Sequence, residues 1–423
     1  MSSTSSKPVF WALADCESFY CSCERLFRPD LADKPVVVLS NNDGCLVSLT
    51  AEAKALGFRG GEPYFKVAEA LKRAGAAVYS SNYALYADMS RRVMAAMASL
   101  VPEVEQYSID EAFLPFSPAL AAQAEEVGWQ IHDRVRRWTG IPVRVGIGET
   151  RTLAKMANHW AKRISRVLRL EAGSERLDNL LRQTPVKEVW GIGRRLAAKL
   201  GEKGITTAWQ LRELKPKEAG KLLNILGRRT ILELQGRPCL EEAPIVRRTL
   251  FNSRSFGQPV TTKDELREAL AFHCEAAGAR LRSEGLAAGG LSICIATSWH
   301  IQESFQTGAS INLGRPTDDT LTFIRAAHQA LEQCFRPGHR YMKAGILLLD
   351  LAPPGQSQNL FDQPPETDRG RLMSALDDIN AKYGRGTARF AGQGEAGAAW
   401  HMKRSRKSGH LTTSWDELAK VNS

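Results

Sequence analysis

Two acidic residues stand side by side in the segment YSIDEAF (107–113). Neighbouring side chains of a regular strand point to opposite faces, so Asp110 and Glu111 can meet one ligand only where the backbone bends or bulges. A third acid, Asp15, follows the apolar run PVFWALA early in the chain. The acidic pair predicts a strand end or a tight hairpin, although taken alone it is also compatible with a solvated turn.

Three carboxylates from two distant segments offer the oxygen ligands that hard divalent cations prefer. Two such ions, held close together, can activate an attacking oxygen and stabilise the leaving oxygen of a phosphoryl displacement. Nucleotidyl transfer, nuclease action and cyclisation all fit such a site. The acids alone do not choose among these reactions.

Composition limits the class of protein and its partners. The chain has 423 residues, and at about 150 residues per domain this length suggests about three domains. A hydrophobic fraction of 43% and a charged fraction of 24% are typical of a soluble globular protein. Lys and Arg total 57 against 46 Asp and Glu, a net charge of +11. This excess favours a polyanionic partner and leaves nucleic acid and an anionic membrane surface open.

Targeting and membrane signals are not found in the sequence. The start, MSSTSSKPVFWALAD, has no long apolar segment, and no stretch reaches the roughly 18 apolar residues of a membrane span. The eight cysteines form no C-x-x-C pair and have no His at zinc spacing, so we expect reduced thiols. These features predict a cytoplasmic protein with no membrane partner.

The elements that would position the acids follow from hydrophobic periodicity. The run 8–15 predicts a buried strand that ends at Asp15, followed by a helix over 18–27. Residues 34–49 predict a β-hairpin, and Thr50 is a suitable cap for a helix over 50–58.

Further helices are predicted over 82–100 and 119–139. They are followed by the strand IPVRVGIGET and by a helix that either Thr150 or Thr152 can cap. This alternation predicts an α+β domain whose antiparallel sheet holds the three acids on one face.

The second half of the chain has a different pattern. Residues 185–211 predict a short helix, a Gly-Ile-Gly turn and a second helix. Strand patterns between 247 and 352, with helices over 264–284 and 317–335, predict a second α+β domain. The Pro- and Gln-rich stretch 352–368 predicts a linker.

A series of motifs, taken in chain order, resembles the family Y translesion DNA polymerases, most closely those of the UmuC type. The motifs are LADCESFYCSCERLFRPDL, KPVVVLSNNDGC, AEAKALG, SSNYALYADMS, YSIDEAF, VWGIGRR, SRSFG and GHRYMKAG. The resemblance extends over about residues 10–415. It implies an α+β multidomain fold of the right-hand type, with a ferredoxin-like palm, small fingers, a helix-hairpin-helix thumb, an α+β little finger and a short C-terminal extension.

The resemblance also implies domain boundaries. These are the palm at 9–30 and 79–170, fingers at 31–78, thumb at 171–240, little finger at 245–352, a linker with a candidate clamp-binding peptide at 353–368, and a C-terminal partner-binding region at 369–423.

By the same resemblance, Asp15, Asp110 and Glu111 are expected to be catalytic and to hold two Mg²⁺ ions. The backbone carbonyl of Cys16 is expected to be a further metal contact. Deoxynucleoside triphosphates are the expected substrates.

Tyr20 resembles the family's steric gate, a ring placed where the 2′-hydroxyl of a ribonucleotide would project, and Phe19 is expected beneath the incoming sugar. Lys54 and Lys162 resemble residues that grip the triphosphate, where cations offset the charge on the leaving pyrophosphate. Ordinary core packing of the rings and a solvated basic face for the lysines stay open as alternatives.

Gly191, Gly193, Arg194 and Arg195 resemble a helix-hairpin-helix. Its glycines let backbone amides approach a DNA phosphate at a helix N-terminus, which gives contact without sequence preference. Primer-template DNA is accordingly the first expected partner.

SQNLF (357–361) stands where UmuC-type chains carry a sliding-clamp peptide, with Leu360 and Phe361 as the apolar anchors. The leading Gln is out of register, so a plain linker stays an alternative. The resemblance further implies a dimer of cleaved UmuD and a recombinase filament as partners, with the C-terminal region as a docking site.

The function implied is template-directed, error-prone DNA synthesis across damage by two-metal nucleotidyl transfer, in the SOS response and at the nucleoid. One alternative is a catalytically weak, DNA-bound scaffold that recruits checkpoint partners. Another is a two-metal nuclease, which would degrade DNA without added nucleotides.

Overall fold

The computed structural model describes residues 10–240, 247–298, 303–354, 369–384, 386–394 and 400–417. The chain forms two compact units. Unit 1 comprises Met1–Ser40, Gly44–Ala243 and Arg406–Ser423, and unit 2 comprises Asn41–Asp43 and Pro244–Ser405. The region 369–423, treated as one piece in the sequence analysis, is therefore shared between the two units.

Unit 1 holds the segments expected to form the palm, fingers and thumb. Its strands are β1 (Phe10–Cys16), β2 (Val36–Leu39), β3 (Leu46–Leu49), β4 (Ala77–Ser80), β5 (Glu105–Gln106), β6 (Glu111–Phe116), β7 (Val143–Gly148) and β8 (Val167–Leu170). Its helices are α1 (Phe19–Leu26), α2 (Ala51–Ala55), α3 (Tyr64–Arg73), α4 (Tyr83–Ala98), α5 (Pro118–Ala122), α6 (Ala124–Thr139), α7 (Arg151–Ile164), α8 (Glu175–Gln183), α9 (Arg194–Gly201), α10 (Ala208–Arg212), α11 (Pro216–Leu222) and α12 (Ile225–Leu234).

The larger sheet of unit 1 has the strand order β5-β6-β1-β7-β8 in the described part of the chain. β1 pairs antiparallel with both β6 and β7, whereas β7 pairs parallel with β8. Alternation along β1 places Ala12 and Ala14 in the core shared with α4 and α6, and Leu13 with Ala154 on the α7 side. The predicted α+β domain is present, with helices on both faces of the sheet.

The smaller sheet of unit 1 has the order β3-β2-β4. β2 pairs antiparallel with β3, which confirms the predicted hairpin, and parallel with β4. Thr50 caps α2 as predicted, because its hydroxyl accepts a hydrogen bond from the Ala53 N–H (3.4 Å). The boundary expected between fingers and palm, at residue 78, falls within β4.

The first turn of α7 is capped by a residue that is also hydrogen-bonded to α12. Thr150, not Thr152, is the cap, since its hydroxyl oxygen accepts from the Leu153 N–H (3.1 Å). The same hydroxyl donates to the carbonyl of Glu233 on α12 (2.8 Å). The cap therefore joins the helical part of unit 1 to the sheet.

Two predicted helices are wrong in detail. The helix expected over 119–139 is interrupted between α5 and α6, because Gln123 leaves the helical conformation (φ −119°, ψ 29°). The short helix expected before the Gly-Ile-Gly turn is a 3₁₀ turn at Val186–Glu188, after which Val189 is extended.

Unit 2 contains the second predicted α+β domain. Its elements are β9 (Thr249–Val260), α13 (Lys263–Ser283), β10 (Ala287–Thr297), β11 (Gln306–Thr317), α14 (Thr320–Cys334), β12 (Tyr341–Ala352) and α15 (Gly370–Tyr383). The strand order is β11-β10-β12-β9, and every pair is antiparallel. α14 begins later than residue 317 because the Asp319 carboxylate caps it, accepting from the N–H groups of Leu321 and Thr322 (3.2 and 3.3 Å).

Residues of the C-terminal extension pack onto this domain. Arg282 on α13 forms two hydrogen bonds to the Asp377 carboxylate on α15 (2.7 and 2.8 Å). Trp400 is 2% exposed and belongs to the hydrophobic core of unit 2. The described residues 369–384 and Trp400 are thus packed onto unit 2.

Within the described ranges, no helix is long and apolar enough to cross a membrane. The eight cysteines are free thiols, and Cys21 donates to the Val36 carbonyl (3.4 Å) from inside the core.

Close packing of α7 on β7 yields the first prediction. A Cβ at Gly146 would overlap the backbone of Ala154 and Asn158, which cannot move away as a flexible side chain could. Gly146→Ala is expected to destabilise unit 1 by about 2 kcal/mol or more, measured as a lower urea midpoint. Gly220→Ala on α11 is the matched control, because a Cβ there meets nothing within 4 Å and Ala favours helix. Equal midpoints for the two variants would contradict the close approach.

Candidate active site

The chain makes a tight turn at Ser108, directly before β6. The Ser108 hydroxyl accepts hydrogen bonds from the N–H groups of Asp110 (3.2 Å) and Glu111 (3.1 Å) and donates to Asp110 Oδ1 (2.6 Å). The Ser108 N–H donates to the Glu111 carbonyl (3.0 Å). The bend that the adjacent acids predict is therefore present, and one serine hydroxyl holds it.

Strand pairing brings the third acid to this turn. Asp15 lies directly opposite Glu111 in the β1–β6 register. The Cys16 N–H donates to the Asp110 carbonyl (2.9 Å). All three acids are half-buried and lie at the same end of the β1–β6 pair.

Two cations lie against these carboxylates. Arg144 on β7 lies opposite Asp15 in the strand register, and its Nη2 is 2.8 Å from Asp15 Oδ2. Lys155 Nζ on α7 is 3.1 Å from both oxygens of Glu111. The sequence analysis did not find Arg144; its signal, a charge within the strand PVRVG, becomes informative only once β7 is paired with β1.

Aromatic rings surround the Lys155 ammonium. Its Nζ lies 4.5 Å from the ring centroid of Tyr107, 5.1 Å from Trp190 and 5.6 Å from Phe113. Cation–π attraction at such distances supplements the ion pair. The lysine is thus held beside Glu111 by groups from three segments of unit 1.

Burial is the main influence on the ionisation of Asp15. It raises the pKa of this carboxyl to about 6, the Arg144 guanidinium opposes that rise, and the Glu111 and Asp110 carboxylates add to it.

The donor chemistry fits a divalent cation, although the side chains do not form a cage. No group of three or more His, Cys, Asp or Glu residues in the described ranges is arranged to hold a metal ion. Asp15 and Glu111 are instead engaged by Arg144 and Lys155. Three crowded, half-buried oxygen donors are nevertheless the set that hard cations prefer. Burial raises the pKa of the Cys16 thiol well above its ordinary value, so only its backbone carbonyl is a suitable ligand.

Of the two predicted triphosphate lysines, Lys54 lies beside the start of α1. Ser18, which precedes α1, has a left-handed backbone (φ 45°, ψ 45°) that non-glycine residues rarely adopt. Lys54 Nζ donates to the Ser18 hydroxyl (3.3 Å). Burial lowers the pKa of Lys54, and the charge of Lys162 lowers it further, so the two cations act on each other electrostatically.

The two predicted sugar-contact rings have different exposures. Phe19 is 2% exposed and lies in the core, whereas Tyr20 is half-buried. Burial raises the pKa of Tyr20, and the charges of Tyr83 and Asp110 add to this rise. Of the two rings, Tyr20 is the one that is partly exposed.

The predicted DNA-contact residues lie together at one helix end. Gly193 precedes α9 directly, Gly191 has a positive φ of 84°, and Arg194 and Arg195 are exposed in the first turn. Leu360 and Phe361 lie outside the described residues, so the clamp-binding peptide stays a prediction.

Family models match four separate stretches of the chain. The impB/mucB/samB family model covers residues 14–159, and the C-terminal domain model of that family covers 247–360. The IMS family HHH motif covers 174–205. A domain of unknown function (DUF4113) covers 370–421.

Curated relatives match end to end. The chain is 44% identical to protein UmuC of Salmonella typhimurium (strain LT2), over 97% of this chain and 100% of the relative. It is 44% identical to protein SamB of Salmonella typhimurium, over 96% and 98% of the two chains. DNA polymerase IV of Brucella melitensis biotype 1 is 30% identical, over 88% and 83%.

Among solved structures, a Y-family DNA polymerase chimera of Dbh and Dpo4 superimposes with a TM-score of 0.65. It covers 81% of this chain and 99% of the chimera at 17% identity, which is a likeness of fold. The right-hand fold expected from the sequence motifs is confirmed.

The Asp15–Arg144 pair can be tested by a double-mutant cycle. Because both side chains are largely buried, Asp15→Asn and Arg144→Gln are expected to show a coupling energy of about 1–3 kcal/mol in urea unfolding. Arg28–Asp30, an exposed pair in the same unit, is the control and should show no resolvable coupling. Equal coupling in the two cycles would mean that Arg144 does not neutralise Asp15.

Proposed function

Since the chain belongs to the impB/mucB/samB family of Y-family DNA polymerases, we propose that it copies damaged DNA templates by nucleotidyl transfer with two Mg²⁺ ions. Three carboxylates support this proposal more than any other feature: Asp15, Asp110 and Glu111 converge where β1 and β6 pair. In the proposed reaction the primer 3′-oxygen bonds to the α-phosphorus of a deoxynucleoside triphosphate, and pyrophosphate leaves.

The proposed mechanism assigns metal binding to the acids and triphosphate binding to two lysines. Asp15, Asp110 and Glu111, with the Cys16 carbonyl, would hold the Mg²⁺ ions, which stabilise charge on the attacking and leaving oxygens when bound. Lys54 and Lys162 would bind the triphosphate and offset the charge that develops on pyrophosphate. The effect of the Lys162 charge on the pKa of Lys54 supports that assignment.

Sugar selection is assigned to Tyr20, with Phe19 supporting it from the core. A partly exposed ring that packs against Phe19 can exclude a 2′-hydroxyl by contact. The deoxyribose lacks this oxygen and fits.

DNA contact is assigned to the N-terminus of α9. Exposed Gly191 and Gly193 leave the backbone open to a phosphate, and Arg194 and Arg195 add positive charge there. The net charge of +11 agrees with primer-template DNA as the partner.

The biological setting is proposed from the family. The chain would act in the SOS response, in the cytoplasm at the nucleoid, with a dimer of cleaved UmuD and a recombinase filament. Leu360 and Phe361 would anchor a sliding clamp, and the region 369–423 would bind partners.

The acids are tested by primer extension across an abasic site with Mg²⁺ and four deoxynucleotides, with cleaved UmuD and the filament supplied. Asp110→Asn/Glu111→Gln is expected to lose at least about a hundredfold in rate, because the ligands for the charge-stabilising ions are lost. DNA affinity, measured by fluorescence anisotropy at fixed salt, should not fall.

Glu125→Gln/Glu126→Gln is the matched control, since these adjacent acids on α6 remove the same charge from an exposed surface. Extension by the Asp110→Asn/Glu111→Gln variant at the wild-type rate would contradict the assignment of these two acids as Mg²⁺ ligands. Wild-type DNA binding without extension would favour the scaffold, and DNA degradation without nucleotides would favour the nuclease.

The gate is tested by Tyr20→Ala. Removing the ring should lower discrimination, the ratio of kcat/KM for a deoxynucleotide to that for its ribonucleotide, by about tenfold to a hundredfold. Tyr20→Phe keeps the ring and is expected to keep the ratio. Unchanged discrimination in Tyr20→Ala would rule out the gate role while leaving the polymerase assignment intact.

A further inference from the structure

The ring of Tyr20 rests on a second, buried tyrosine. The rings of Tyr20 and Tyr86 stack with centroids 4.4 Å apart and an interplanar angle of 13°. Tyr83 meets both rings edge-on, at 6.2 and 6.3 Å. Tyr86 is 0% exposed, so its ring is a fixed surface that determines where the Tyr20 ring lies.

The hydroxyl of Tyr86 is anchored to a buried acid. It donates to Glu24 Oε1 (2.7 Å), and Glu24 is 1% exposed. Ser408 Oγ donates to the same oxygen (3.1 Å). Burial raises the pKa of Glu24, whereas the hydrogen bonds from Tyr86 and Ser408 lower it. A residue near the C-terminus therefore supplies one of two donors to the acid that anchors Tyr86.

The segment that carries Ser408 is held in place on unit 1. We call residues 406–411 the tail strap. Asn82 Nδ2 donates to Ser408 Oγ (2.9 Å) and to the carbonyls of Ser408 (3.3 Å) and Gly409 (3.0 Å). Ser80 and Arg406 exchange two hydrogen bonds (3.0 and 2.9 Å), and Leu411 packs against the core. The strap is thus bonded to the N-terminal end of α4, the helix that carries Tyr86.

We propose that the tail strap positions the sugar-selecting ring: Ser408 fixes Glu24, Glu24 fixes Tyr86, and Tyr86 fixes Tyr20. The strap lies within the stretch matched by a domain of unknown function (370–421), and the proposal gives part of that domain a role in substrate specificity. It rests on the proposed gate role of Tyr20. Ser408, Glu24 and Tyr86 are positioning residues, since they act on the nucleotide only through Tyr20.

The expected effect is moderate, because the strap moves the ring rather than removing it. Ser408→Ala in the full chain should lower the discrimination ratio by about threefold to tenfold, the effect of one hydrogen bond. Tyr86→Phe, which keeps the ring and loses its anchor, should do the same. Ser408→Thr keeps a hydroxyl and should restore the ratio.

Discrimination is the suitable readout because a ratio of kcat/KM values does not depend on the fraction of enzyme that is folded. A purely structural loss would lower both values equally. Thr413→Ala, which removes an exposed hydroxyl from the same tail, is the control and should leave the ratio unchanged. In a Tyr20→Ala background, Ser408→Ala should have no further effect, since the ring that it positions is gone.

The outcomes distinguish the role of the tail strap from the gate role of Tyr20, on which it rests. A lowered ratio in Ser408→Ala that is restored by threonine and absent in the Tyr20→Ala background supports the strap's role. An unchanged ratio in Ser408→Ala and Tyr86→Phe, with a collapsed ratio in Tyr20→Ala, overturns the strap and leaves the gate standing. A persisting Ser408→Ala effect in the Tyr20→Ala background also overturns it. An unchanged ratio in Tyr20→Ala contradicts the gate role of Tyr20, and it thereby also contradicts the positioning role of the strap.

Discussion

The pairing of β1 between β6 and β7 is the constraint on which the site depends. One register places Asp15 opposite Glu111 on one side and opposite Arg144 on the other. A slip of one residue would turn every side chain of β1 to the other face of the sheet. The burial of Ala12, Leu13 and Ala14 prevents such a slip, because alternate residues fill different cores. Apolar packing thereby fixes the positions of charged groups that contribute nothing to the core themselves.

Charge balance is the second requirement. Three half-buried acids lie at one strand end, and the pKa of Asp15 is raised first by burial and then by the charges of Glu111 and Asp110. Arg144 and Lys155 come from different elements, β7 and α7, and each neutralises one acid. The close approach of α7 to β7 at Gly146 brings Lys155 within reach of Glu111. Arg144 contacts one oxygen of Asp15 and Lys155 contacts both oxygens of Glu111, so these two residues occupy acceptor positions that a bound cation would also use.

The sequence was informative where the determining signal is local. The hairpin over 34–49 and the Thr50 cap depend on residues within a few positions of one another, and both are present. The bend at the acidic pair was also predictable, since adjacent acids demand it, although the Ser108 hydroxyl that holds it was not noticed. Family motifs supplied the rest of the fold, because pairing between distant strands leaves no trace in periodicity.

Features that arise from long-range contacts were missed. The break at Gln123 lies in a segment with helical periodicity throughout. The sequence does not indicate the contact of Arg144 with Asp15, because that contact depends on the pairing of β7 with β1. The tail was read as one partner-binding region, whereas the structure divides it at Ser405.

The division of the tail has a physical consequence for how the polymerase is built. Glu24 is a buried carboxylate, and such a group is costly unless its oxygens accept hydrogen bonds. One of its donors, Ser408, lies 384 residues away. The first helix of unit 1 therefore carries a buried acid whose hydrogen bonds come partly from a residue near the other end of the sequence. An apolar strap would have stabilised the same surface with less demand on position, because hydrophobic contact is non-directional. Directed hydrogen bonds from Ser408 and Asn82 instead specify where the strap lies on unit 1.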